Sequence, residues 1–175
     1  KILLFFGKLI KRKRPIDFLK LAKLNLNNKK FHFVMIGDGN LMRDCKMFIK
    51  KNKLKNISLL GFANQSKLRQ FYNISDLLIL PSFYETWGLT INEAFAAGIP
   101  AICTSHCGAS KDLIINKKTG YTYNVGDIKD LKKKTDLILN NRKLSSQMKK
   151  NISKRIKLYN KQITVNSILK ILNEK

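Results

Sequence analysis

The sequence predicts an α/β fold in which helices cover both faces of a parallel β-sheet. Short apolar segments, such as 1–6 (KILLFF) and 76–80 (DLLIL), alternate with segments whose apolar residues recur at helical spacing. Such alternation is typical of parallel strands joined by right-handed crossovers. The strands are almost continuously apolar, as expected for a sheet that is buried on both faces. At 175 residues, the chain is long enough for one domain with a sizeable core.

Turn residues divide the first half of the chain into alternating elements. The first strand, 1–6, ends at Gly7, and Pro15 opens a helix because its fixed φ suits a first helical position. The next strand, 31–36 (FHFVMI), is closed by Gly-Asp-Gly, and a helix is expected over about 40–51. The following elements are a strand at 57–60, a helix at about 65–73 and a strand at 76–80.

The second half of the chain is predicted to contain two more strands and a run of helices. A helix over about 90–97 stops at Gly98, and Pro100 introduces the strand 101–103. The remaining elements are expected at about 110–115 (helix), 121–123 (strand), and 127–139, 142–158 and 162–172 (helices). We expect a doubly wound, Rossmann-like sheet in the order 3-2-1-4-5-6 with trailing C-terminal helices. Residues 1–160 would form the main domain and 161–175 a C-terminal helix.

The net charge of +24 is the most unusual bulk property of the chain. It favours contact with nucleic acid or an anionic membrane. Nucleic acid is the weaker choice, because only six of the 35 basic residues are Arg and the charge is spread along the whole chain. A solvated lysine surface that reflects overall composition, and attraction to anionic lipid headgroups, both stay open.

The cysteine and histidine content limits the disulfides and metal sites that the chain can form. Cys45, Cys103 and Cys107 form no CxxC pair, so free thiols in a reducing compartment are expected. With only His32 and His106 besides, the sequence offers no zinc-binding set and no metal is expected. No apolar run reaches the about 18 residues that span a bilayer, and we expect a cytoplasmic protein, at most peripheral on the inner face of the membrane. Because Lys1 already lies within a strand, we expect that a further segment precedes it.

Ligands of open parallel sheets bind beyond the carboxyl ends of the strands, so the loops that follow each strand are the candidate sites. Residues 7–15 (GKLIKRKRP) place several cations between a strand and a helix N-terminus, which suits a bound phosphate or is simply a solvated basic loop. After the second strand, Met42 stands where a dinucleotide fingerprint requires its third glycine. Residues 37–39 are therefore interpreted as a tight turn.

The most informative loop follows the fourth strand. Glu85 and Glu93 lie eight residues apart, and each carboxylate can accept hydrogen bonds from vicinal sugar hydroxyls. The alternatives are an exposed loop charge for Glu85 and a capping box with Thr90 for Glu93. Gly88 would let the backbone approach a phosphate closely. The aromatic residues of the loop, Tyr84 and Trp87, are expected to pack it or to flank a sugar.

The loop after the fifth strand contains a glycine, a histidine and a cysteine. Gly108 permits close approach of the backbone and is assigned to the substrate-binding set. His106 is the one titratable ring near a candidate site, so proton transfer competes with an ordinary loop histidine. Cys107 has no nameable base and is a poor candidate nucleophile.

The stretch 81–100 (PSFYETWGLTINEAFAAGIP) resembles the signature of family 4 (group 1) retaining glycosyltransferases, which have the two-domain GT-B fold. Their hallmark is Glu-x7-Glu, here Glu85 and Glu93. The resemblance covers nearly the whole chain in order and includes GKLIKRKRP, IGDGN, LLGF, SDLLILPS, TSHCGASKDLI and KKTGYTYNVGD. The resemblance implies that this chain is the C-terminal, donor-binding half of such an enzyme.

The resemblance also implies roles for individual residues. The diphosphate of a nucleotide-sugar donor would be neutralised by Lys8 and Lys13. Lys8 departs from the many members that have Arg there, and it loses the bidentate fork of a guanidinium. Glu93 would accept hydrogen bonds from the ribose, and Glu85 from the transferred sugar. The remaining contacts would come from backbone groups: N–H groups of Gly88 and Leu89 at the diphosphate, and Gly61 and Phe62 beside the nucleobase.

The reaction that the resemblance implies is hexosyl transfer with retention and without a metal or other cofactor. The acceptor, a surface polysaccharide, lipopolysaccharide or lipid, would be held by an amino-terminal domain, toward which residues 161–175 would pack. We therefore expect donor binding and little turnover from this chain alone. The alternatives are a related GT-B enzyme, such as an epimerase or phosphorylase, and a charge-driven membrane-surface or nucleic-acid module.

Overall fold

The computed structural model describes residues 1–159 and 161–173 and contains one six-stranded parallel sheet. The strand order is β3-β2-β1-β4-β5-β6, which confirms the doubly wound order expected from the sequence. The strands are β1 (Ile2–Phe6), β2 (His32–Ile36), β3 (Ile57–Leu59), β4 (Leu77–Leu80), β5 (Ala101–Thr104) and β6 (Gly120–Tyr123).

Eight helices are described, and they connect or follow these strands. Their bounds are α1 (Pro15–Leu24), α2 (Met42–Lys51), α3 (Gln65–Ile74), α4 (Leu89–Ala96), α5 (Ala109–Leu113), α6 (Ile128–Leu139), α7 (Arg142–Ile156) and α8 (Lys161–Asn173). A short 3-10 turn, Lys11–Lys13, precedes α1. The predicted elements are all found, within a few residues at each end. Residues 160, 174 and 175 of the predicted boundary and terminal helix lie outside the described residues.

The core lies between the sheet and the helices that cover it. Phe5 of β1 and Phe33 of β2 both contact Phe18 of α1, with ring centroids 5.7 Å and 5.4 Å from it. All three rings are fully buried, and such tilted and edge-on contacts add to the stabilisation from burying apolar area. This packing fixes α1, and with it the basic loop that leads into the helix, against the centre of the sheet.

Candidate functional site

Glycines bring the loops after β1, β2 and β3 into direct contact. Gly37 has φ 143°, and a Cβ built on it would lie 1.8 Å from the carbonyl oxygen of Gly7. The N–H of Gly37 donates to the carbonyl of Gly61 at 2.8 Å, and that of Leu9 to the carbonyl of Asp38 at 2.8 Å. The loops that follow the neighbouring strands β1, β2 and β3 are therefore joined by backbone contacts into one layer.

A cleft of about 740 Å³ opens above this layer. It is lined by Phe6, Gly7, Lys8, Gly37, Asp38, Gly39, Phe62 and Ala63. Two residues that the sequence assigned to the site, Lys8 and Phe62, thus share one cavity. The Phe62 ring is 75% exposed, so it presents an open aromatic face at this edge of the sheet.

Lys13 and Glu85 form an ion pair that joins the loop after β1 to the loop after β4. The Lys13 ammonium donates to Oε1 of Glu85, and Ser82 Oγ donates to the same oxygen at 3.2 Å. Glu85 is only 8% exposed, so the alternative of an exposed loop charge is wrong. The lysine stem runs past Gly7, with its Cδ and Cε 3.9 Å from a Cβ built there. The basic loop and the Glu-x7-Glu loop are therefore in direct contact.

The loop after β5 packs against the same carboxylate loop. The N–H of Gly108 donates to the carbonyl of Glu85 at 2.9 Å, and the N–H of Glu85 lies 3.4 Å from the carbonyl of His106. A Cβ at Gly108 would lie 2.0 Å from the carbonyl oxygen of Thr86. The group that approaches Gly108 closely is thus the backbone of Thr86, not a ligand. Its contact with substrate stays a prediction.

Helix α4 begins after Gly88, which has φ 100° in the left-handed region. A Cβ at Gly88 would lie 2.7 Å from Cys107 Sγ, so this position excludes larger side chains on steric grounds as well. No side chain caps the start of α4, and Leu89, its first residue, is exposed. The backbone amides at this helix start are consequently not covered by a side-chain cap.

The predicted capping box is wrong. Because α4 starts at Leu89, Thr90 is its second residue and cannot serve as the N-cap. Thr90 Oγ1 is buried without a hydrogen-bond partner. Glu93 lies beyond the first turn, and its carboxylate accepts a hydrogen bond from the Tyr72 hydroxyl at 2.7 Å. Helix capping therefore does not account for Glu93.

Tyr72 and Glu93 border a second cavity, of about 360 Å³, between α3 and α4. Its lining is Leu68, Arg69, Tyr72, Asn73, Glu93, Ala96 and Ala97. Burial, followed by the hydrogen bond to Glu93 and its negative charge, raises the pKa of the Tyr72 phenol far above its ordinary value. The phenol therefore stays protonated as a donor. Tyr72 was not among the residues predicted for the site, because it has the spacing of an ordinary core residue of α3.

The other residues considered from the sequence differ in their exposure and hydrogen bonds. His106 is exposed, with Nδ1 3.2 Å from the carbonyl of Phe83. Trp87 packs against the core and donates from its indole to Asn92 at 2.7 Å, whereas Tyr84 is exposed. All of the cysteines are free thiols, as the sequence predicted, and the structure shows that all of them are buried. Burial, reinforced by the charge of Asp44, raises the pKa of Cys45 to about 11, so this thiol is not activated.

Within residues 1–159 and 161–173, no three His, Cys, Asp or Glu side chains come together as a metal-binding group. None of the helices in this part of the chain has the length and apolar character needed to cross a bilayer.

An open parallel sheet in this order, with lysines and carboxylates beyond its strand ends, has the Rossmann-like fold found in the domains of GT-B glycosyltransferases. Residues 1–155 match the sequence model of the family described as glycosyl transferases group 1. The chain belongs to this family.

Among curated relatives, the UDP-Gal:alpha-D-GlcNAc-diphosphoundecaprenol alpha-1,3-galactosyltransferase of Escherichia coli is 33% identical over 70% of this chain and 32% of its own length. An uncharacterized glycosyltransferase of Methanocaldococcus jannaschii is 28% identical over 98% of this chain and 47% of its own. The chain therefore spans half or less of the length of these relatives.

A solved structure with the same fold is the C-terminal domain of LpcC, a group 1 glycosyl transferase from Francisella tularensis. It superposes with a TM-score of 0.80 and 22% identity, over 89% of this chain and 84% of that domain. HepE from Anabaena, solved in complex with UDP and glucose, superposes with a TM-score of 0.87 and 18% identity, over 99% of this chain and 48% of HepE.

Proposed function

We propose that this chain is the donor-binding part of a retaining glycosyltransferase that transfers a hexosyl group from a nucleoside-diphosphate sugar. The observation that carries the proposal is the contact between Lys13 and the buried carboxylate of Glu85. It brings a cationic loop and a carboxylate that can bind sugar hydroxyls to one point beyond the carboxyl ends of β1 and β4. Nucleotides bind at this edge of such sheets. Family membership and the UDP held by HepE support the same ligand class.

The diphosphate would lie between the lysine loop and the start of α4. Lys8 and Lys13 supply positive charge, and the amides of Gly88 and Leu89 supply hydrogen-bond donors at the positive end of the helix. These groups would stabilise the charge that develops on the leaving nucleoside diphosphate, so the proposed reaction needs no metal. Gly108 would support the site by keeping the neighbouring loop close to Thr86.

The transferred sugar would be bound by Glu85. Lys13 and Ser82 both donate to Oε1, so Oε2 is the oxygen offered to the sugar hydroxyls. The ribose would be bound by Glu93, and the nucleobase would lie beside the backbone of Gly61 and the exposed ring of Phe62. Charge-assisted hydrogen bonds of this kind contribute about 1.5–3 kcal/mol each.

The acceptor in this proposal is a sugar of a surface polysaccharide or a lipid-linked saccharide. The name of the Escherichia coli relative specifies a sugar linked to diphosphoundecaprenol, which supports a lipid-linked acceptor. The matched relatives are at least about twice the length of this chain. We accordingly expect nucleotide binding, and little transfer, from these residues alone.

Titration with UDP, GDP and ADP tests the proposal. We expect at least one of them to bind, and Glu93→Ala to weaken it by about 10–100-fold, as loss of a charge-assisted hydrogen bond requires. The matched control is Asp136→Ala, which removes the carboxylate of a part-buried pair with Lys132 on α6 and should leave the affinity unchanged. Isothermal titration calorimetry measures all of these affinities. Absence of binding by all three nucleotides would contradict the proposal.

A further inference from the structure

Tyr72 holds one oxygen of Glu93 from a buried position. The tyrosine is 4% exposed, and its hydroxyl donates to Oε2 of Glu93 at 2.7 Å. Leu68, one turn earlier on α3, is also buried, so the phenol ring is fixed by the packing of its own helix. Most buried hydroxyls are hydrogen-bonded, and here the partner is a carboxylate on the neighbouring helix.

The hydrogen bond sets how the Glu93 carboxylate is presented to a ligand. Oε2 accepts from the phenol, and the cavity between α3 and α4 reaches Glu93, whose carboxylate keeps further acceptor sites. This hydrogen bond restricts the rotation of the Glu93 side chain. Because Tyr72 remains protonated, it donates to Glu93 across the physiological pH range.

We propose that Tyr72 is a positioning residue that orients the Glu93 carboxylate for hydrogen bonding to the ribose hydroxyls of a nucleoside diphosphate. This inference rests on the proposed function, because it needs Glu93 to bind ribose. Tyr72 follows the nucleobase turn at Gly61 and Phe62 along the chain, whereas Glu93 follows the diphosphate loop. Their hydrogen bond therefore couples the α3 side of the site to the α4 side.

The test compares UDP with 2′,3′-dideoxy-UDP, which lacks both ribose hydroxyls. Their affinities for the full chain and for Tyr72→Phe are measured by isothermal titration calorimetry. We expect Tyr72→Phe to weaken UDP about tenfold and to change the affinity for the dideoxy analogue less than twofold. In the Glu93→Ala background, Tyr72→Phe should cause no further loss, because the group that it orients is gone.

The matched control is Tyr123→Phe. Tyr123 is 2% exposed and its hydroxyl has no hydrogen-bond partner, so this variant also removes a buried phenolic oxygen, but one that donates to no carboxylate. It should change neither affinity. Circular dichroism of each variant verifies that the fold is retained.

The outcomes separate this inference from the function on which it rests. Equal weakening of UDP and its dideoxy analogue by Tyr72→Phe would mean a merely structural role and would overturn the inference. An unchanged UDP affinity would overturn it as well, while the Glu93→Ala result would leave the proposed function standing. If the unaltered chain binds UDP and the dideoxy analogue equally, the ribose contact itself is wrong. If it binds none of UDP, GDP and ADP, both proposals fail.

Discussion

Replacing Lys13 with methionine is expected to lower the free energy of unfolding by about 3 kcal/mol, because it leaves the Glu85 carboxylate buried without its cation. The figure is the lower end of the range for breaking a buried pair, since the side chains keep 16% and 10% of their exposure. Methionine preserves most of the aliphatic stem that passes Gly7, so lost packing contributes little. Urea denaturation followed by circular dichroism measures the change.

Two further variants isolate the ion pair as the cause. Adding Glu85→Gln to Lys13→Met should restore much of the lost stability, because a neutral amide replaces the unpaired charge. Lys132→Met breaks the less buried pair with Asp136 on α6 and should cost about 0.3–0.5 kcal/mol. If the variants at Lys13 and Lys132 lose the same stability, the contact between Lys13 and Glu85 is not the buried link that the site requires.

The fold was predictable because its signals are local. Apolar strands ending at Gly7, Gly37 and Pro81 set the alternation of elements, and crossover handedness then leaves few topologies. The start of α4 was predicted less well. A left-handed Gly88 begins this helix one residue earlier than expected, which moves Thr90 out of the N-cap position and removes the capping box.

Side-chain partners in the site depended on tertiary packing and were not predictable in the same way. The sequence placed Lys13 and Glu85 at the same edge of the sheet, yet these residues are 72 positions apart and no local pattern indicates that they touch. Tyr72 was not predicted as a site residue, because an aromatic residue at helical spacing usually belongs to the core. Only its distance to Glu93 distinguishes it.

Gly37→Ala is expected to lower the free energy of unfolding by about 2–5 kcal/mol, from about 1–3 kcal/mol of overpacking and about 1–2 kcal/mol of backbone strain. Its Cβ would lie 1.8 Å from the carbonyl oxygen of Gly7, so the backbone after β1 or β2 must move. Because backbone, unlike a flexible side chain, cannot rotate away, the two strands would lose their close approach. Urea denaturation of the variant measures the loss.

Gly98→Ala is the control that separates backbone strain from steric overlap. Gly98 also has a left-handed φ, 73°, but no atom lies within 4 Å of a Cβ built there. This variant should therefore cost only the strain of that conformation, about 1–2 kcal/mol. The excess loss in Gly37→Ala would measure the contact between the loops after β1 and β2. Equal losses would show that these loops move apart readily, and a cleft lined by Lys8 and Phe62 would then lack the rigid floor that nucleotide binding requires.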